Sequence, residues 1–215
     1  AYRRQRQMCK ETEGNFRLKG LLGFDMNGRT VGLIGMGKIA KVLIKILYGF
    51  GMRILAYDLY PDHEFAKQYG VEVVDLDTLY ANSDIISLHC PLTPETKHIV
   101  NAESIAKMKK GVMIINTGRG QLINTEDLIE GFRTHHIGSA GLDVYEEEKE
   151  YFYEDRSDNM IKDDVLARLL SAPNVVLTSH QAFFTEEALY NIATTTLNSV
   201  RELAEGKPYS HPVQG

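Results

Sequence analysis

Cysteine is scarce in this 215-residue sequence: Cys9 and Cys90 lie far apart, in no CxxC or metal-ligand spacing. That excludes a disulfide framework, gives no reason to expect a metal site, and fits a reducing compartment. The chain also lacks the run of about eighteen apolar residues that would cross a bilayer, and its polar, basic start has no secretory core, so the cytosol is the expected location and no membrane partner is expected. An excess of positive charge is missing as well. With 24 Lys and Arg against 29 Asp and Glu, the formal charge of −5 offers no global attraction to nucleic acid. The one dense basic stretch, Arg3–Lys10, reads as a solvated helix face rather than a nucleic-acid arm.

What is present is a globular composition, 43% apolar and 25% charged, on a chain long enough to bury a sizeable core. Its organising stretch is Thr30–Ala40, TVGLIGMGKIA. A β-branched and aliphatic run meets Gly35-Met36-Gly37 and then a helix-like segment, which reads as strand, tight turn and helix N-terminus. Gly35 permits the turn, Gly37 lets backbone approach a pyrophosphate, and Ala40 stands where close helix–strand packing tolerates Gly or Ala. A second strand, 53–58, ends in Asp58, 21 residues beyond Gly37. The expected cofactor is therefore a dinucleotide, with Lys38 and Ile39 opening the helix beneath it.

Further strands are expected at 71–74, 84–88, 112–116, 137–142 and 175–178. Helices are expected at 62–69, 102–108, 125–132, 163–170 and 186–204, with a helical turn at 76–80. Residues 1–13 read as a helix, and 146–164 as an acidic, aromatic insertion or active-site loop. Short apolar strands alternating with amphipathic segments indicate an α/β protein with a Rossmann-type, doubly wound, mostly parallel sheet. Polar residues gather just after the strands: Asp58, His89, Asn116, Asp143 and Ser179-His180. In an open parallel sheet that edge binds ligands.

Several of these side chains admit two readings. Asp58 either accepts hydrogen bonds from the adenosine ribose, favouring NAD over NADP, or closes a turn before Pro61. Arg119, between two glycines, either clamps a planar carboxylate or holds loop backbone. Asp143 contacts the nicotinamide carboxamide or caps a loop. His180 transfers a proton near neutral pH or satisfies backbone at the sheet edge. Glu146, Glu147 and Glu148 are all placed to partner a histidine, and periodicity does not choose among them. His89, His98, His135 and His136 have no comparable company, and the last two read as exposed.

From about Gly14 to Ala204 the chain resembles the D-2-hydroxyacid dehydrogenase family, in its fermentative D-lactate dehydrogenase branch. The stretches that carry the likeness are TVGLIGMGKIA, ILAYD, DIISLHCPLTPET, GVMIINTGRGQLINTEDLIE, GLDVYEEE, YFYEDRSD and NVVLTSHQAF. The resemblance implies NAD as cofactor and a small 2-oxoacid or 2-hydroxy acid, such as pyruvate or D-lactate, as substrate. It implies Arg119 on the substrate carboxylate, His180 as proton donor, and Glu148 as the carboxylate paired with His180. Asp58 would bind ribose and Asp143 the nicotinamide. Cys90, Pro91, Thr96, Thr117 and Gly118 would line the cofactor cleft, and a homodimer is implied.

Members of that family resemble two-domain proteins. Measured against them, 1–13 corresponds to an interdomain helix, 14–205 to the dinucleotide-binding domain, and 206–215 to a tail toward a substrate domain absent from this sequence. The 215 residues are accordingly expected to bind NAD and to catalyse poorly alone. Competing readings are a dehydrogenase for another 2-hydroxy acid, an NAD-responsive scaffold or co-repressor of the same fold, and a protein that uses another nucleotide.

Overall fold

The computed structural model describes residues 23–147, 163–208 and 210. The expected helix at 1–13 and most of the acidic segment, including Glu148, lie outside them.

Five-residue β1 (Thr30–Ile34) leads through the glycine turn into α1 (Lys38–Gly49), then β2 (Arg53–Tyr57), α2 (His63–Gln68), β3 (Val71–Val73), α3 (Leu76–Asn82) and β4 (Ile85–Leu88). There follow α4 (Ala102–Lys107), β5 (Val112–Asn116), a 3-10 turn (Gly120–Leu122), α5 (Thr125–Arg133), β6 (Ile137–Leu142), α6 (Asp164–Ser171), β7 (Val175–Leu177) and α7 (Glu186–Ala204). The strands form one sheet in the order β3-β2-β1-β4-β5-β6-β7. Every pairing is parallel, with Val31 opposite both Ile54 and Ile85 and Leu88 opposite Asn116. The strand order reverses between β1 and β4, which opens a crevice at their carboxyl ends.

The apolar runs explain the layering. All residues of β1 and β4 are buried, as strands covered on both faces must be. On one face α1 and α2 cover β1 and β2 through Ile44, Leu47 and Ala66; on the other, α3 to α6 pack Leu79, Ile105, Leu128 and Leu169 against β4, β5 and β6. Fully buried side chains such as Leu33 and Ile86 each contribute about 1.5–3 kcal/mol of transfer free energy.

Capping residues set where the helices start. Asp62, Asp75, Asn101, Asn124, Asp163 and Thr185 each accept a backbone N–H from the first turn of the helix that follows. In α1 that position is Gly37, no side chain caps the helix, and its first turn holds no acidic residue.

The chain divides into two compact units, one running to Ser179 and the other from His180. The second is built on α7, closed by Gly206 at φ +62°; none of its helical residues is buried. Among the described residues no helix is long and apolar enough to cross a membrane.

Candidate functional site

In the first unit the side chains singled out from sequence follow the carboxyl ends of five strands. Gly35, Gly37, Lys38 and Ile39 come after β1, Asp58 after β2, Cys90, Pro91 and Thr96 after β4, Thr117, Gly118 and Arg119 after β5, and Asp143 after β6. Adjacent parallel strands bring these loops to one sheet edge.

Gly35 has φ +99°, and a Cβ there would stand 2.7 Å from both Cys90 N and His89 C. The turn therefore requires glycine twice over, for its left-handed conformation and for its approach to the chain leaving β4. Gly35 N–H donates to Tyr57 O at 2.8 Å, and His89 N–H to Ile34 O at 2.7 Å, so the three loops meet at the crevice. Gly37 has open space around its α-carbon. The uncapped first turn of α1 thus presents peptide N–H groups beside a gap, the arrangement that receives phosphate oxygens. Lys38 and Ile39 are exposed there, and Ala40 is wholly buried against the sheet.

Asp58 does more than end β2. One carboxylate oxygen accepts Met36 N–H at 2.6 Å, and the other accepts Tyr60 N–H at 2.8 Å. The acid ties the glycine turn to the β2 loop, and each oxygen keeps a further lone pair for a ribose hydroxyl. Cys90 is half-buried; burial, helped by the charge of Asp58, pushes its thiol pKa up, which makes it a poor nucleophile. Burial pushes the His89 pKa down, and its Nε2 meets Ser87 Oγ at 2.9 Å. Thr96 Oγ1 donates to Pro91 O at 2.6 Å and accepts Thr93 N–H at 2.8 Å, folding the intervening loop on itself.

Beyond β5, Asn116 is fully buried and organises the next loop. Its Oδ1 accepts Gly118 N–H at 3.0 Å, its Nδ2 donates to Arg119 O at 2.9 Å, and its carbonyl accepts Asp143 N–H at 2.8 Å. Arg119 is exposed, as is Thr117. The guanidinium donates to Gly118 O at 2.9 Å and makes no ion pair among the described residues, leaving most of its donors to an incoming anion. Asp143 is buried and accepts the Thr178 hydroxyl.

Two features went unread in the sequence. Asn116 shows there only as a polar end to an apolar strand, and that was its one signal. His98, grouped with histidines lacking company, in fact pairs through Nε2 with Glu146 Oε1 at 2.7 Å. The partners are 48 positions apart, a separation no local periodicity reports. His136 also differs from its exposed reading: it is half-buried, with Nε2 2.9 Å from Met108 O. Of the three glutamates, Glu146 is thereby engaged and Glu147 is exposed. His180 opens the second unit, with φ +50°.

Comparison with known proteins agrees with this architecture. The family described as D-isomer specific 2-hydroxyacid dehydrogenase, NAD binding domain, matches residues 1–182. A 2-hydroxyacid dehydrogenase homolog of Haemophilus influenzae is 52% identical over 207 residues, covering 96% of this chain and 60% of that protein. The D-lactate dehydrogenase of Escherichia coli is 51% identical over 207 residues, covering 96% and 61%. The pyruvate reductase of Chlamydomonas reinhardtii superposes with a TM-score of 0.92 at 40% identity, covering 96% of this chain and 63% of that one. The chain thus spans about 60% of the length of the curated relatives it matches. An uncapped glycine turn on an all-parallel sheet and a family match over most of the sequence agree, and the chain belongs to the D-isomer specific 2-hydroxyacid dehydrogenases, through their NAD-binding domain.

Proposed function

We propose that the protein interconverts a small 2-oxoacid and its D-2-hydroxy acid with NAD, pyruvate and D-lactate being the favoured pair. The observation that carries this is the division of labour along one sheet edge. An uncapped glycine turn with a carboxylate stands after β1 and β2, and after β5 an exposed guanidinium that makes no ion pair among the described residues.

The residues present fit the cofactor. Gly37 leaves the approach to the α1 N–H groups clear for a pyrophosphate, and Asp58 faces the adenosine ribose with acceptor capacity that disfavours a 2′-phosphate. Lys38, Ile39, Cys90, Pro91, Thr96, Thr117 and Gly118 line the cleft, and Asp143 holds the nicotinamide carboxamide. When bound, NADH supplies a hydride to C2 of the 2-oxoacid. Arg119 binds and orients the substrate carboxylate with paired N–H bonds, which fixes C2 relative to the crevice. His180, as imidazolium, gives its proton to the carbonyl oxygen where negative charge grows, and takes it back in the reverse direction. Glu148, in the role the family resemblance gives it, pairs with that imidazole and orients it. Scarce cysteine supports a cytosolic setting, and the exposed apolar side chains of Val42 and Ile46 on α1 support association as a homodimer.

The test, on the full-length protein, is NADH titration followed by pyruvate-dependent NADH oxidation, with bulkier 2-oxoacids as competitors and Arg119→Gln beside the wild type. Expected are saturable NADH binding in both proteins and, in the variant, a loss of pyruvate kcat/KM of about a hundredfold, the order attached to a charge-assisted bidentate contact. No saturable NADH binding would overturn the reading. Tight NADH binding without turnover of any 2-oxoacid would move the protein to the NAD-responsive scaffold class.

A further inference from the structure

We propose that Glu146 is a positioning residue, the centre of a three-loop clasp that holds Arg119 at its working position. The inference rests on the reading of Arg119 as the carboxylate-binding residue.

The loops after β4, β5 and β6 are fastened to one another at points the reaction itself does not use. His98 N–H donates to Gln121 O at 2.8 Å, Val100 N–H to Leu122 O at 3.1 Å, and Asn124 N–H to Val100 O at 2.9 Å. Val100 and Ile123 thereby form a short parallel bridge outside the main sheet. Glu146 closes the arrangement from the third loop. Its Oε1 meets His98 Nε2 at 2.7 Å, while Oε2 accepts the Thr125 hydroxyl at 3.1 Å and Thr125 N–H at 3.4 Å. Both side chains are largely withdrawn from solvent, at 22% exposure for Glu146 and 29% for His98, so the pair is screened less than a surface pair. Beside it, a Cβ on Gly120 would collide with the carbonyl of Tyr145, which shows how closely the β5 and β6 loops pack. His98 sits at φ +52°, a left-handed conformation that a non-glycine residue keeps only where its surroundings fix it.

Arg119 is enclosed by these fastenings. Upstream, buried Asn116 accepts Gly118 N–H and also donates to the Arg119 carbonyl. Downstream, Leu122 N–H donates to Arg119 O at 3.2 Å, and Gln121 and Leu122 are the residues bonded to the β4 loop. With both flanks of the backbone fixed, the exposed guanidinium needs to order only its own side chain when a carboxylate arrives. Removing Glu146 frees the downstream flank, and that added ordering falls on substrate binding. The glycine turn and Asp58 follow β1 and β2, on the other side of β4 in the sheet. Among the described residues they share no bond with Glu146, so the pyrophosphate and ribose contacts, and with them most of the cofactor affinity, are spared.

The experiment compares wild type, Glu146→Ala and Glu146→Gln of the full-length protein in three measurements: pyruvate KM and kcat, NADH dissociation constant, and hydrogen exchange at the amides of Leu122, Ile123 and Asn124. In Glu146→Ala, pyruvate KM is expected to rise about tenfold, equivalent to ~1.4 kcal/mol, with kcat changed less than about threefold. NADH affinity should stay within about twofold, and the three amides should exchange about tenfold faster. Glu146→Gln retains an acceptor for Thr125 and a hydrogen-bonding group for His98, and should restore most of the KM. An unchanged KM in a folded Glu146→Ala protein overturns the proposal, and so does a loss of NADH affinity equal to the rise in KM, which would signify general loosening. A wild type that binds NADH but turns over no 2-oxoacid overturns the functional reading, and this inference with it.

Discussion

His89 shows how one side chain at the crevice carries both packing and charge. Its ring is mostly buried beside Ser87, and burial holds its pKa below the ordinary histidine value. The unfolded chain therefore takes up a proton at a higher pH than the folded one. The native state is favoured by a neutral ring above the unfolded value of about 6.5, and that contribution is lost as pH falls toward the folded value. Carboxylates held down by hydrogen bonds, Asp62 by Lys41 and Glu72 by Arg53, lose their contributions in a separate range below about pH 4.5. Urea unfolding between about pH 7.5 and 5 should thus show stability declining with acid more steeply in wild type than in His89→Gln. Coincident profiles would show that this ring is not kept neutral by the fold.

At the scale of the element, α1 trades helix stability for an open N-terminus. Side chains of Asp, Asn or Thr cap the other helices, whereas Gly37 leaves the N–H groups of α1 to whatever enters the crevice. Gly37 has φ −70° and ψ −171°, extended backbone that any residue adopts, with open space where a side chain would stand. Gly37→Asp should accordingly cap the helix and raise stability by a few tenths of a kcal/mol to about 1 kcal/mol. The same carboxylate would occupy and repel the pyrophosphate position, weakening NADH binding at least about tenfold. Unfolding midpoints and NADH titration on one preparation check both signs; a stabilised variant with unchanged affinity would place the cofactor elsewhere. Elements of this kind were legible in the sequence because their signals are local. TVGLI, IISL and VMIIN read as buried strands from their own apolar runs. What stayed illegible depends on chain segments meeting in space. The second task of Asp58, holding Met36 N–H, crosses 22 positions, and the Glu146–His98 pair crosses 48. The short 3-10 turn at Gly120–Leu122 is held by His98 N–H on Gln121 O and Val100 N–H on Leu122 O, and has no period of its own.

The whole molecule is uneven in how its parts are supported. Up to Ser179 the parallel sheet buries aliphatic side chains on both faces, so its central strands open only with the loss of most of the core. The second unit rests on α7, in which Leu189, Ile192, Leu197, Val200 and Leu203 are all more than 40% exposed and no helical residue is buried. A helix of 19 residues with little apolar burial depends on its own propensity, its Thr185 cap and its closing turn at Gly206, and such helices are marginal in water. Hydrogen exchange on the protein should therefore give two classes of amide. Those of Leu33, Ile86 and Ile114 should exchange at the rate set by global unfolding, and those across the middle of α7 by local opening at least about a hundredfold more often. NADH at about a hundred times its dissociation constant stabilises the unit that binds it by ~2.7 kcal/mol, and should slow the sheet amides while leaving the α7 class little changed. Uniform protection of α7 and the sheet would overturn this division of stability.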